Sequence, residues 1–127
     1  MIILDAGVLI AHLDETDARH QRATELLINT ADERLGVNPL TIAEVLVRPA
    51  RAGTLDAARA ALAALAVTTV PLGDEAPTRL AVLRADTRLR LPDCCVLLAA
   101  ETTHAGIATF DDELARAAAQ IGLAAVR

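Results

Sequence analysis

Short apolar runs alternate along the whole chain with longer stretches in which apolar residues recur every three or four positions. The short runs predict strands over residues 2–5, 35–38, 67–70, 107–109 and 124–126. The longer stretches predict helices over residues 7–13, 18–29, 41–48, 55–65, 76–88, 93–104 and 111–121. Turn residues mark the breaks. Pro39 precedes the third helix, Pro49 and Gly53 are expected to end it, Pro71 and Gly73 follow the third strand, and Pro92 opens the sixth helix. Strands alternating with helices read as an α/β domain with a mainly parallel central sheet of four or five strands flanked by helices.

Nothing in the pattern divides the chain: no repeat or linker is visible, and 127 residues suit one domain spanning residues 1–127. Although 54% of the residues are hydrophobic, Arg, Asp or Thr interrupts every apolar run well before the roughly 18 residues a membrane span needs. No membrane partner is expected. The opening Met-Ile-Ile-Leu-Asp reads as a strand rather than a signal peptide, and the adjacent Cys94 and Cys95 are unsuited to an ordinary disulfide with each other. A reduced, cytoplasmic setting follows, with both cysteines packed in the core.

Charge narrows the function. The net charge is −5, Lys is absent, and all 12 basic residues are Arg. Without a diffuse basic field, a protein that coats nucleic acid is disfavoured, whereas a nuclease with its negative charge gathered in a metal site is not. Phe110 is the single aromatic residue, so base stacking is not expected to be the main grip on single-stranded RNA.

Four acids stand where such a site would form. Asp5 ends the first strand, Glu44 lies near the start of the helix after the second, Asp93 follows Pro92 at another helix start, and Asp111 comes just after the fourth strand. Ligands of open α/β sheets collect beyond the carboxyl ends of the strands. Each acid also has a plain structural reading. Asp5 and Asp111 suit N-caps, Thr41-Ile-Ala-Glu44 fits a capping box, and Asp93 suits a helix dipole. If the four converge, their mutual repulsion calls for a cation, and oxygen-only ligands suit Mg²⁺, with Mn²⁺ able to substitute. Such a site serves attack of activated water on a phosphodiester.

The segments Ile-Leu-Asp5-Ala, Asn-Pro-Leu-Thr41-Ile-Ala-Glu44, Leu-Pro-Asp93-Cys-Cys-Val-Leu-Leu-Ala-Ala and Ala-Thr109-Phe-Asp111-Asp-Glu-Leu114 occur in this order over nearly the whole chain. In them the sequence resembles the PIN-domain family, and within it the VapC-type toxins of bacterial toxin–antitoxin pairs. The resemblance implies a PIN-like three-layer fold and a metal-dependent endoribonuclease acting as a toxin. It also implies homodimerisation and a cognate antitoxin protein as partner. Asp5, Glu44, Asp93 and Asp111 take the family's acidic, metal-binding roles, Thr109 supplies a hydroxyl beside the site, and Asp112 is an alternative to Asp111. Ala6 departs from the hydroxyl residue common after the first Asp.

Arg84, Arg88 and Arg90, or Arg48 and Arg51, are candidates for RNA phosphate contacts, and surface ion pairing is the competing role of each. His12, His20 and His104 have no partner at triad spacing. A receiver domain or a phosphatase of the HAD type would also place acids at strand ends, but both call for a Lys that this chain lacks. Two readings remain beside the toxin: a PIN-like binding module with weak or no catalysis, and a PIN nuclease of RNA processing.

Overall fold

A computed structural model describes residues 1–127. The elements follow in the order β1 (Ile2–Leu4), α1 (Ala6–Leu13), α2 (His20–Asn29), β2 (Leu35–Val37), α3 (Pro39–Ala52), α4 (Leu55–Ala64), β3 (Thr68–Thr69), α5 (Ala76–Thr87), α6 (Leu91–Thr103), β4 (Gly106–Ala108), α7 (Asp112–Gln120) and β5 (Ala125–Val126). All five strands join one sheet in the order β3-β2-β1-β4-β5, and every neighbouring pair is parallel. The α/β class stands as expected, with a sheet that is wholly rather than mainly parallel.

Successive strand residues point to opposite faces, which splits the core in two. Ile3 and Ile107 face a cluster built with α5, α6 and α7. Ile2, Leu4, Leu35, Val37 and Ala108 face a second cluster built with α1, α2, α3 and α4. Three layers result. Because α6 touches α3, α5, α7 and the sheet, its residues Cys94 through Ala100 are all buried, and the two cysteines are free thiols in the core. At Gly36 on β2 an added Cβ would stand 2.8 Å from the Ile3 side chain and 3.1 Å from that of Val70, so a side chain there overfills the first core.

Two details of α3 differ from the sequence pattern. Pro49 does not end the helix, which continues to Ala52 and stops at Gly53, where φ is 75° and the Thr54 N–H donates to the Pro49 carbonyl. Pro49 removes one N–H close to the end, and the αL conformation that Gly adopts freely supplies the actual stop. Nor does Thr41 cap this helix. Asn38 is the N-cap: its side-chain oxygen accepts the Thr41 N–H at 3.0 Å and its amide donates to the Thr41 hydroxyl at 2.9 Å, both fully buried. With Pro39 as the first helical residue, Glu44 lies beyond the first turn and its capping-box role disappears.

Candidate active site

The chain passes from β1 outward to β2 and β3, then returns to the other side of β1 to form β4. The crevice beyond the carboxyl ends of β1 and β4 is therefore the switch point of the sheet. Asp5 directly follows β1, and Thr109-Phe110-Asp111 directly follows β4. Glu44 reaches this crevice from α3 and Asp93 from α6, one from each helical layer. All four acids line one pocket of about 360 Å³.

Asp5 occupies the N-cap position of α1 but makes no capping hydrogen bond, although the Ala6 and Gly7 amides favour its charged form. Its Oδ2 instead accepts the hydroxyl of the fully buried Thr109 at 2.7 Å. Burial pushes the Asp5 carboxyl above its ordinary pKa, the Thr109 hydrogen bond restrains the rise, and the Asp111 charge adds to it. The Thr109 oxygen also accepts the Asp111 N–H at 3.0 Å, so one hydroxyl ties the two strand-borne acids together.

Glu44 is raised by burial, then by the charges of Asp5 and Asp93, against the lowering influence of Arg90. Asp93 is raised by burial and by Asp5, with Arg90 again opposing. Both helix-borne acids thus respond to the same crowding of negative charge. Arg90 is the N-cap residue of α6 and places its Nε 3.8 Å from Asp93 Oδ2, a loose and largely exposed pairing. Asp111 caps α7, its Oδ1 accepting the Glu113 and Leu114 N–H groups at 2.8 and 2.9 Å. Capping and pocket lining coincide in this residue. Asp112 is absent from the pocket lining and pairs with Arg127 at the surface, which holds its carboxyl below the ordinary range.

No three of the acidic groups close into a ready-made metal cage in the chain alone. The donor set is nonetheless all oxygen and shares one pocket. Such an open site fits Mg²⁺ or Mn²⁺, for Mg²⁺ keeps several waters and needs only one or two direct carboxylates. Asp5, Glu44, Asp93 and Asp111 are the residues that can hold it.

The arginines sort differently from the sequence expectation. Of the five proposed, only Arg90 lines the acidic pocket. Arg84 donates to the carbonyls of Arg88 and Leu89, closing the end of α5 where Arg88 takes a left-handed φ of 61°. Arg48 pairs with Asp14 at 3.1 Å, and both border a neighbouring groove between α1 and α3. Arg19 and Phe110, by contrast, line the pocket and carry no sequence signal for doing so. His12 and His20 stack at 6.1 Å between ring centroids and bond to the Thr24 hydroxyl and the Ala11 carbonyl, outside the pocket.

A model of the PIN domain matches residues 2–120. The chain belongs to the PIN-domain family. No curated protein matches the sequence. Three solved structures share the PIN fold over essentially the full length. A toxin–antitoxin complex from Klebsiella pneumoniae is 20% identical with a TM-score of 0.76, covering 100% of this chain and 97% of that one. VapC20 of Mycobacterium tuberculosis, described as a sarcin-ricin loop cleaving toxin, is 19% identical with a TM-score of 0.76, covering 100% and 99%. VapBC2 from Rickettsia felis, bound to a DNA fragment from its promoter, is 12% identical with a TM-score of 0.70, covering 99% and 98%. No helix of this PIN domain is long and apolar enough to cross a membrane.

Proposed function

We propose that residues 1–127 form a single PIN domain acting as a metal-dependent endoribonuclease, the toxin of a toxin–antitoxin pair. The observation that carries this reading is the convergence of Asp5, Glu44, Asp93 and Asp111, from four separate segments, in one pocket at the switch point of the sheet. When bound there, Mg²⁺ or Mn²⁺ supplies charge stabilisation at the scissile phosphate and lowers the pKa of the attacking water. The rest of the work falls to the protein. Asp5, held by Thr109, and Asp111, held by its cap, give fixed carboxylate oxygens at the sheet edge. Glu44, whose pKa is raised by burial and by its acidic neighbours, is suited to take a proton from the water. Arg90 is placed to meet the phosphate from the opposite charge side.

Water as the nucleophile leaves 5′-phosphate and 3′-hydroxyl ends, with no chemical need for the RNA 2′-hydroxyl. The antitoxin would inhibit by inserting an Arg among the carboxylates. The groove between α1 and α3 supports this, since its volume is about 470 Å³, Ile10, Leu13 and Val45 line it, and Glu44 borders both it and the acidic pocket. A cytoplasmic homodimer completes the reading.

The test is cleavage of a mixed structured RNA by antitoxin-free protein with Mn²⁺, run beside an EDTA control and an Asp5→Asn protein. Cleavage lost in both controls, with 5′-phosphate products, is the expected result. Cleavage that survives both controls, or 2′,3′-cyclic phosphate ends, would overturn the mechanism; no cleavage at all would favour the binding module.

A further inference from the structure

Phe110, the one phenylalanine of a chain without Tyr or Trp, lines the acidic pocket, fixed in sequence between Thr109 and Asp111. Two guanidinium groups lie over it, Arg22 with its central carbon 4.7 Å from the ring centroid and Arg19 at 5.4 Å. Arg19 also lines the pocket itself. Both arginines are exposed. Arg22 has no carboxylate within ion-pair distance, and Arg19 makes only a loose pairing with Asp17, at 3.8 Å.

A guanidinium stacked by its face on a ring keeps its in-plane N–H donors free, and those donors match phosphate oxygens in pairs. Stacking also restricts a side chain that is otherwise mobile, so less freedom is lost when a ligand arrives. In a protein of net charge −5, one unpaired and one loosely paired cation held beside a cluster of acids need a reason. A polyanion that enters the pocket supplies one.

We propose that Arg19 and Arg22, seated on Phe110, form a phosphate subsite that grips the RNA backbone beside the bond being cut, with Phe110 as the positioning residue. This inference rests on the ribonuclease reading for the identity of its ligand. It assigns the subsite to the α2 side of the pocket, opposite in sequence and origin to Arg90 on α6.

The experiment uses Asp5→Asn protein with a fluorescein-labelled single-stranded RNA at fixed Mg²⁺, and reads the dissociation constant by anisotropy over a range of NaCl concentrations. Adding Arg22→Gln, a surface change that leaves the core untouched, should weaken binding about tenfold. It should also reduce the slope of log affinity against log salt by about 0.7, the value for one phosphate contact on a single strand. Phe110→Leu, which retains both charges, should weaken binding as well, and Phe110→Tyr should restore it. Unchanged affinity and slope in Arg22→Gln would overturn the subsite, as would full affinity in Phe110→Leu or no RNA binding by the parent. Failure of the ribonuclease reading is seen separately, as absence of EDTA-sensitive cleavage by the wild-type protein.

Discussion

Thr109→Val removes a hydroxyl and keeps the side-chain shape, so it isolates the bond that ties Asp5 to Asp111. In the native protein that hydroxyl donates to Asp5 Oδ2 at 2.7 Å and accepts the Asp111 N–H at 3.0 Å. A hydrogen bond to an ionised group contributes about 1.5–3 kcal/mol, and the Asp111 amide, at an exposed residue open to water, adds at most about 1 kcal/mol. The expected loss at neutral pH is therefore roughly 2–3 kcal/mol, a fall of about 10 °C in melting temperature for a domain of this size. The loss should depend on pH. The folded-state pKa of Asp5 already lies above its ordinary value of 3.8, so its favourable share of stability is complete below 3.8 and disappears as pH rises through the folded value. Thr109→Val raises that folded value further, which makes the difference between the two proteins small at low pH and largest at neutral pH. Thr109→Ser, which retains the hydroxyl, should cost roughly 1 kcal/mol at every pH, the worth of one buried methyl group. Urea unfolding in EDTA from pH 4 to 8 measures both. A Thr109→Val loss that is constant with pH, or equal to that of Thr109→Ser, would refute the bond to an ionised Asp5.

Asp5→Asn should make the metal-free protein more stable at pH 7.5, because burial disfavours the Asp5 charge; the gain should vanish below pH 3.8, and thermal melts of both proteins check it. Asp111→Asn keeps a good helix cap and should melt close to wild type while cleavage falls at least tenfold, which separates the carboxylate's chemistry from its capping. Asp112→Asn should melt close to wild type and leave the cleavage rate intact, since this carboxylate is exposed and its partner Arg127 is at the surface. Gly36→Ala should lower the urea midpoint by the equivalent of about 1–3 kcal/mol, through overpacking against Ile3 and Val70.

The strands, the helices and the four acids were legible because each is a local signal: apolar period, turn residues, and acids at the ends of predicted elements. What escaped was settled by side-chain pairing and backbone conformation, in one case between distant segments. Thr41 reads as the cap of a capping box, yet it is Asn38 that caps α3, through the buried pair it forms with Thr41. Pro49 reads as a stop, yet so near the end of α3 its missing N–H is tolerated and Gly53 sets the boundary. Arg84 reads as a free cation until the left-handed turn at Arg88 brings two carbonyls to it. Arg19 and Arg22 belong to the start of the chain and Phe110 to its end, and only the β1–β4 pairing brings α2 and the α7 entry to one rim.

The backbone under the acids is continuous with the sheet: the Asp5 N–H donates to the Ala108 carbonyl at 3.0 Å and the Thr109 N–H to that of Val126 at 3.1 Å. The strand-borne half of the site is therefore as stiff as the ladder, and its amides should exchange with solvent only when the whole domain opens. Glu44 and Asp93 ride instead on helices of opposite layers, held to the sheet by side-chain packing. A cation shared by all four would add a polar bridge to the direct contact that α3 and α6 already make. Filling the site would then act as a mechanical staple, tightening the hold of both helices on the strand ends.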